Sequence, residues 1–161
     1  MIVYQVLPTP VGQLSLVERD GVLVAAGFVD PSTLIGRLGV DGVVEGEAQA
    51  ARAVQDYLDG KLDALDQIPV EQPGTPRRQK LLAAMRDIPA GSPVTYGELA
   101  EMAGMPRSAA RAAGGACAGN LIAPIVPCHR VLPVTGGYGG YLYGANVKEW
   151  LLRHEGYRTV V

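Results

Sequence analysis

Apolar and polar positions change places in short runs over the first thirty residues: IVYQVL, the turn Pro8-Thr9-Pro10-Val11-Gly12, QLSLVE, Arg19-Asp20-Gly21, then VLVAAGFV. Runs of this length, rich in β-branched side chains and parted by turn residues, predict a hairpin meander. Asp20-Gly21 is the sharpest turn signal, because glycine tolerates the positive φ that a tight hairpin demands. A Gly-punctuated acidic stretch continues through Gly46. The period then changes: Ala48, Ala51, Val54, Tyr57 and Leu58 recur at three- and four-residue spacing and predict a helix over 47–58, stopped by Asp59-Gly60. A short strand is expected over 67–70.

Gln72-Pro73-Gly74-Thr75-Pro76 reads as a linker, so the chain divides into an N-terminal domain, 1–70, and a C-terminal domain, 75–161. Thr75 as N-cap and Pro76 at the first helical position open a helix over 77–88, which Asp87-Ile88-Pro89-Ala90-Gly91 ends. Thr95 caps a second helix through Met102, Gly104-Met105-Pro106 turns the chain, and a third helix is expected over 107–118. Two short helices joined by a Gly-containing turn form a helix-turn-helix pattern, which core helical pairs share. Sheet first and helices afterwards make the chain α+β.

Composition narrows the class. With 48% apolar and 19% charged residues in 161, this is a core-forming chain and not a disordered tail, a collagen or a coiled coil. No apolar run reaches the roughly 18 to 20 residues that span a bilayer, and the start carries no basic segment before an apolar core, so a cytoplasmic protein, or a nuclear one in a eukaryote, is expected without membrane contact. The net charge of −2 hides an uneven split: residues 1–70 hold 4 Lys/Arg against 10 Asp/Glu, and residues 71–161 hold 10 against 6. The basic half suits an anionic partner such as a phosphate backbone, or is an ordinary solvated surface.

The third helix is built almost wholly of small side chains: Ser108, Ala109, Ala110, Arg111, Ala112, Ala113, Gly114, Gly115, Ala116, Cys117 and Ala118. Two consecutive glycines cost about 1 kcal/mol each relative to alanine, so close backbone approach to a partner must matter. Packing in a core would explain the small residues. A protruding Arg111 among them suits a nucleic-acid groove better.

Beyond Asn120 a short apolar run, LIAPIV, leads directly into Pro127-Cys128-His129-Arg130-Val131. Only two cysteines occur, Cys117 and Cys128, so no secreted-type disulfide framework exists and each thiol is either packing or chemistry. A neutral thiol becomes reactive only beside a group that favours its anion, and His129 and Arg130 are the adjacent candidates. Neighbours on a strand face opposite ways, so a joint role needs a turn, which Pro127 makes credible.

The run Ile125-Val126-Pro127-Cys128-His129-Arg130-Val131 resembles the active-site motif of the O6-alkylguanine-DNA alkyltransferases, the methylated-DNA–protein-cysteine methyltransferases. Gly74-Thr75-Pro76, Ile88-Pro89-Ala90-Gly91, Val94-Thr95-Tyr96-Gly97-Glu98-Leu99-Ala100, the 109–116 run, Gly119-Asn120, Val147-Lys148-Glu149-Trp150-Leu151-Leu152 and Glu155-Gly156 follow in that family's order, covering nearly all of 74–156. Residues 1–70 fit its variable N-terminal domain. The resemblance implies a small ribonuclease H-like sheet domain followed by a mostly helical domain with a winged helix-turn-helix-like DNA-binding motif. It implies direct reversal of DNA damage, in which Cys128 irreversibly takes the alkyl group of O6-alkylguanine, and of O4-alkylthymine, from duplex DNA, once per molecule.

Residue by residue, the resemblance makes His129 the base that takes the thiol proton through a water, Glu155 the group that orients it, Asn120 the tie around the thiol turn, and Tyr96 with Lys148 the donors to the departing guanine. The flipped nucleotide would leave a gap for Arg111, with the helix in the minor groove and Tyr96, Arg107, Ala109, Ala110, Ala112, Gly114, Gly115 and Arg130 on the DNA side. Cys117, Val131, Tyr141, Leu142 and Tyr143 would wall the pocket, the last three in a loop, 136–144, of five glycines and three tyrosines. Leu142 and Tyr143 replace the family's small residues, so methyl adducts are expected to be preferred over benzyl. The segment 76–82 also lacks the family's aromatic side chains. No cofactor or metal is implied, and a monomer is the simpler expectation.

Other readings are weaker. A thiol hydrolase would have only His129 and His154 to draw on and no oxyanion-hole signature. A zinc site from Cys117, Cys128, His129 and His154 has no recognisable ligand spacing. A plain regulator would need side chains that read base edges, which the alanine-rich helix lacks. The serious alternative is a non-catalytic binder of alkylated DNA, but such relatives lack the acceptor cysteine.

Overall fold

The computed structural model describes residues 1–158. It is α+β, and its contacts divide the chain into two compact units: Met1–Gln72 with Leu121–Ile125, and Pro73–Asn120 with the chain from Val126 onward. Among the described residues no helix is long and apolar enough to cross a membrane.

The N-terminal unit is built on β1 (Ile2–Thr9), β2 (Gly12–Arg19) and β3 (Val22–Gly27), the expected meander, with β4 (Val43–Glu45) beside β1. The order is β3-β2-β1-β4, antiparallel except for the parallel β1–β4 pair. The β2–β3 turn holds Asp20 at φ 50° and Gly21 at φ 83°, the left-handed pair a two-residue hairpin requires. Two helices, α1 (Pro31–Leu38) and α2 (Ala51–Leu58), complete the unit. Leu34 of α1 packs with Val17, Val24 and Ala25 of the sheet as a buried cluster.

Three expectations for this half are corrected. The acidic stretch before Gly46 contains α1, started by Asp30, whose side chain accepts from the Thr33 amide, and by Pro31 at the first turn. The helix expected over 47–58 begins only at Ala51. The two amides just ahead of it are held from outside: buried Glu18 of β2 accepts from the Gln49 and Ala50 amides at 2.8 and 2.7 Å. The strand expected over 67–70 is a 3₁₀ turn, Ala64–Gln67, followed by a single parallel bridge from Val70 to Leu23.

The C-terminal unit contains α3 (Pro76–Met85), β5 (Val94–Thr95), α4 (Tyr96–Met102), α5 (Ala110–Ala118), β6 (Val131–Leu132) and α6 (Ala145–His154). Thr75 caps α3 by accepting from the Arg78 amide. Thr95 and Glu98 form a reciprocal capping box on α4. The third expected helix divides into a 3₁₀ turn, Arg107–Ala109, and α5 proper. Strands β5 and β6 pair in parallel, Val94 with Val131 and Thr95 with Leu132, which carries the end of the motif turn alongside the start of α4.

One segment crosses the expected boundary. Leu121–Ile125 lies within 75–161 but clusters with the N-terminal unit, because its backbone is tied there: the Ala26 amide donates to the Leu121 carbonyl at 2.8 Å, the Ala123 amide to the Ala26 carbonyl at 3.1 Å, and the Leu121 amide to Gln72 Oε1 at 2.9 Å. Ile122, Ala123 and Ile125 are buried, as an apolar run should be.

Candidate active site

The chemistry-bearing residues are set by two consecutive tight turns. Pro127, at φ −85° and ψ 67°, centres an inverse γ-turn closed by the Cys128 amide donating to the Val126 carbonyl at 2.9 Å. The chain then winds as a 3₁₀ turn, Cys128–Arg130, whose Arg130 amide donates to the Pro127 carbonyl at 3.0 Å. At three residues per turn, successive side chains leave about 120° apart, so Cys128, His129 and Arg130 take different directions.

Two of those directions meet at Glu155, just beyond the last turn of α6. His129 Nε2 lies 2.8 Å from Glu155 Oε2, with both side chains fully buried. Arg130 forks onto the same carboxylate, Nε to Oε1 at 2.9 Å and Nη2 to Oε2 at 3.0 Å, while its Nη1 donates to the Ile88 carbonyl at 2.7 Å. Burial alone would raise the Glu155 carboxyl, but the hydrogen bonds and charge of His129 and Arg130 overcome it and hold it at about 2. Burial pushes the imidazole of His129 below its ordinary value, against the pull of Glu155. A neutral ring facing an anionic carboxylate places its proton on Nε2, and Nδ1, which has no hydrogen-bond partner among the described residues, keeps the free lone pair.

The thiol takes the third direction. Cys128 is buried, which pushes its pKa up, while a hydrogen bond from Asn120 and the charge of Lys148 pull it back. Asn120 is itself buried and donates to the Val126 carbonyl at 2.8 Å, pinning the γ-turn. Lys148, 1% exposed, donates to the Val131 carbonyl at 2.9 Å and the Gly140 carbonyl at 3.3 Å. Its own pKa is lowered by burial, against the opposing influence of both cysteines. Tyr96 is half-buried at the start of α4, and its phenol is raised by burial and then by the Cys117 and Cys128 sulfurs. Burial likewise pushes the Cys117 thiol up. Cys128, Cys117, Lys148, Tyr96 and Asn120 thus form one electrostatic neighbourhood around a shielded sulfur. Among the described residues no group of three His, Cys, Asp or Glu side chains is arranged to hold a metal ion.

Comparison with known proteins gives this arrangement relatives. Residues 76–157 match the family described as "6-O-methylguanine DNA methyltransferase, DNA binding domain". The methylated-DNA–protein-cysteine methyltransferase of Mycolicibacterium paratuberculosis is 37% identical over 155 residues, 96% of this chain and 93% of that protein. The chain belongs to the methylated-DNA–protein-cysteine methyltransferase family. The family member from Shigella flexneri is 45% identical over 104 residues, and the chain spans about 60% of that relative's length. Among solved structures, the O6-methylguanine methyltransferase of Mycobacterium tuberculosis superposes with a TM-score of 0.80 at 33% identity, covering 96% of this chain and 93% of that one. The Mycobacterium tuberculosis OGT structure in complex with DNA superposes at 0.74 with 31% identity, covering 95% and 92%.

Within this family member, two of the residues expected on the DNA side, Arg130 and Ala109, are buried. Arg130 is 3% exposed and fully engaged by Glu155 and Ile88, so it braces the site and cannot reach a phosphate. Arg107 is exposed but paired with Glu101, Nη2 to Oε1 at 2.6 Å, and its stem lies over Gly97, where a Cβ would come within 2.6 Å of its Cγ. Ala109 is buried in the 3₁₀ turn. Arg111 is exposed, and Ala110, Ala112, Gly114 and Gly115 are half-buried, while Ala113 and Ala116 face the core. A Cβ on Gly114 would make only ordinary contact with the Tyr96 ring, whereas one on Gly115 would come within 3.3 Å of the Arg78 guanidinium, so Gly115 makes room within the protein itself. Of the expected pocket walls, Val131 is buried and Cys117, Tyr141 and Tyr143 are half-buried, the two tyrosines edge-on with ring centroids 5.6 Å apart. Leu142 is 57% exposed and turns outward.

Sequence reasoning missed the bracing role of Arg130 and the anchoring of Lys148 on two carbonyls. Neither has a local signal: Glu155 lies 25 residues from Arg130, and adjacency to Cys128 pointed the other way.

Proposed function

We propose that the protein repairs DNA by transferring the alkyl group of O6-alkylguanine, and of O4-alkylthymine, to Cys128, one group per molecule. The observation that carries this reading is a buried thiol whose neighbour in the chain is an imidazole with its Nε2–H committed to an anionic Glu155 and its Nδ1 lone pair free. A base poised in this way accepts the thiol proton, through a water, as the sulfur attacks. The S–C bond forms as the C–O6 bond breaks, and guanine departs with the electron pair. Tyr96 and Lys148 are the donors for the charge accumulating on the ring, and the proton given up by the thiol ends on the base. The thioether left on Cys128 offers water no easy leaving group, so turnover stops at one.

The sulfur is too enclosed to meet a base stacked in a duplex, so the nucleotide must rotate out at an unstacking cost of a few kcal/mol. Arg111, exposed on α5, fills the vacated space in this reading, with α5 in the minor groove and the protein acting as a monomer. Mixing the protein with a duplex holding one O6-methylguanine tests the reading by intact mass. One methyl gained on Cys128, and none in Cys128→Ser, supports it; tight binding with no adduct would make the protein a lesion binder instead.

A further inference from the structure

A groove of about 520 Å³ separates the start of α3 from α5, and Arg77, Arg78 and Arg111 all line it, with Thr75 and Ser108 supplying hydroxyls. No carboxylate lines this groove, and among the described residues none of the three guanidinium groups is paired with one. Arginines in the first turn of a helix stand at the positive end of its dipole, where cations are disfavoured, and α3 has no acidic residue there to offset them. Concentrated positive charge that costs the helix something and answers no internal anion is suited to an external one.

The seat of Arg78 is shaped for it. A Cβ on Gly74 would come within 2.9 Å of the Arg78 Cγ, a Cβ on Gly115 within 3.3 Å of its Nη2, and a Cβ on Gly119 would collide with its Nη1. Three glycines therefore leave space for one side chain that runs from the linker across the small-residue surface of α5. Arg77 beside it is exposed.

We propose that Arg77 and Arg78 grip the sugar-phosphate backbone of DNA in this groove, next to Arg111, and so supply binding free energy independent of sequence. This rests on the reading of the protein as an acceptor of alkyl groups from DNA. Planar guanidinium forks match phosphate oxygens bidentately. Each phosphate neutralised releases counterions, so the affinity for an unmodified duplex falls with salt by about 0.9 log unit per log unit for each contact.

The test measures binding of an unmodified duplex across a salt series by fluorescence anisotropy, for the wild type, R77Q and R77Q/R78Q. The expected slope is shallower by about one in R77Q and about two in the double variant. Adduct formation on Cys128 from free O6-methylguanine base, which needs no duplex grip, should be unchanged in both. Slopes equal to wild type in R77Q would overturn the proposal even if the double variant fails to fold. So would an unchanged slope together with lost binding of a polyglutamate probe, which would assign the groove to an acidic protein partner. Failure of the alkyl-transfer reading shows differently, as a wild type that gains no methyl from a methylated duplex.

Discussion

Glu155 joins His129 and Arg130 through one buried carboxylate: Oε2 lies 2.8 Å from the imidazole Nε2 and 3.0 Å from Arg130 Nη2. One group thus fixes the tautomer of the proposed base and neutralises the cation behind it. Replacing it with glutamine keeps the shape and removes the charge, leaving Arg130 buried without a counterion. Glu155→Gln is expected to lose about 3–5 kcal/mol of stability in urea denaturation. Its rate of methyl uptake, measured where it is still folded, should fall by roughly 10²–10⁴-fold. Wild-type uptake in a folded variant would remove Glu155 from the mechanism.

The same pair sets a pH dependence of known sign. Glu155 is held at about 2 in the folded protein against an ordinary 4.5, so its contribution is present above 4.5 and is lost as pH falls toward 2. His129 is lowered by burial, so the unfolded chain takes up a proton near 6.5 that the folded chain resists. Both effects destabilise on the acid side. Melting temperature should decline from about pH 6.5 downward and steepen below 4.5, with the lower phase missing in Glu155→Gln.

Lys148→Met removes a buried cation that draws the Cys128 thiol down and leaves the Val131 and Gly140 carbonyls without their donor. The thiol pKa, read from the pH profile of iodoacetamide labelling, should rise, and methyl uptake at neutral pH should slow. An unshifted labelling profile would mean that the ammonium does not act on the sulfur.

Tyr143 stands half-buried with its ring edge-on to Tyr141. Its bulk predicts faster reaction of Cys128 with methyl than with benzyl adducts, and Tyr143→Gly should accelerate labelling by a benzylguanine probe. Equal wild-type rates for the probe and a methylated duplex would contradict this.

Cys128 is 8% exposed, so a methyl added to its sulfur must be accommodated in packed surroundings, at a cost of about 1–3 kcal/mol. The alkylated protein should melt below the unreacted one in calorimetry. A melting temperature unchanged or raised after reaction would show that the pocket has room to spare.

Local chemistry was legible where it is self-contained. Asp20-Gly21 announces its hairpin, Thr75-Pro76 the start of α3, and Thr95 with Glu98 the start of α4, because each signal and its partner lie within four residues. Legibility failed where the partner is remote. The segment leading into α2 is held by Glu18, more than thirty residues away, through the Gln49 and Ala50 amides, so counting apolar spacing placed the helix start four residues early. Leu121–Ile125 read as part of the C-terminal domain because its ties to Ala26 and Gln72 leave no trace in the order of residues. The thiol and its neighbouring imidazole were evident from the Pro-Cys-His-Arg run, whereas the bracing duty of Arg130 required the fold.

The tight winding from Pro127 to Arg130 leaves the protein no tolerance in spelling. The proposed nucleophile, the proposed base and the brace come from three adjacent codons, and a rotation fixed by backbone geometry assigns each its heading. Inserting or deleting a single amino acid there would hand every duty to the wrong neighbour.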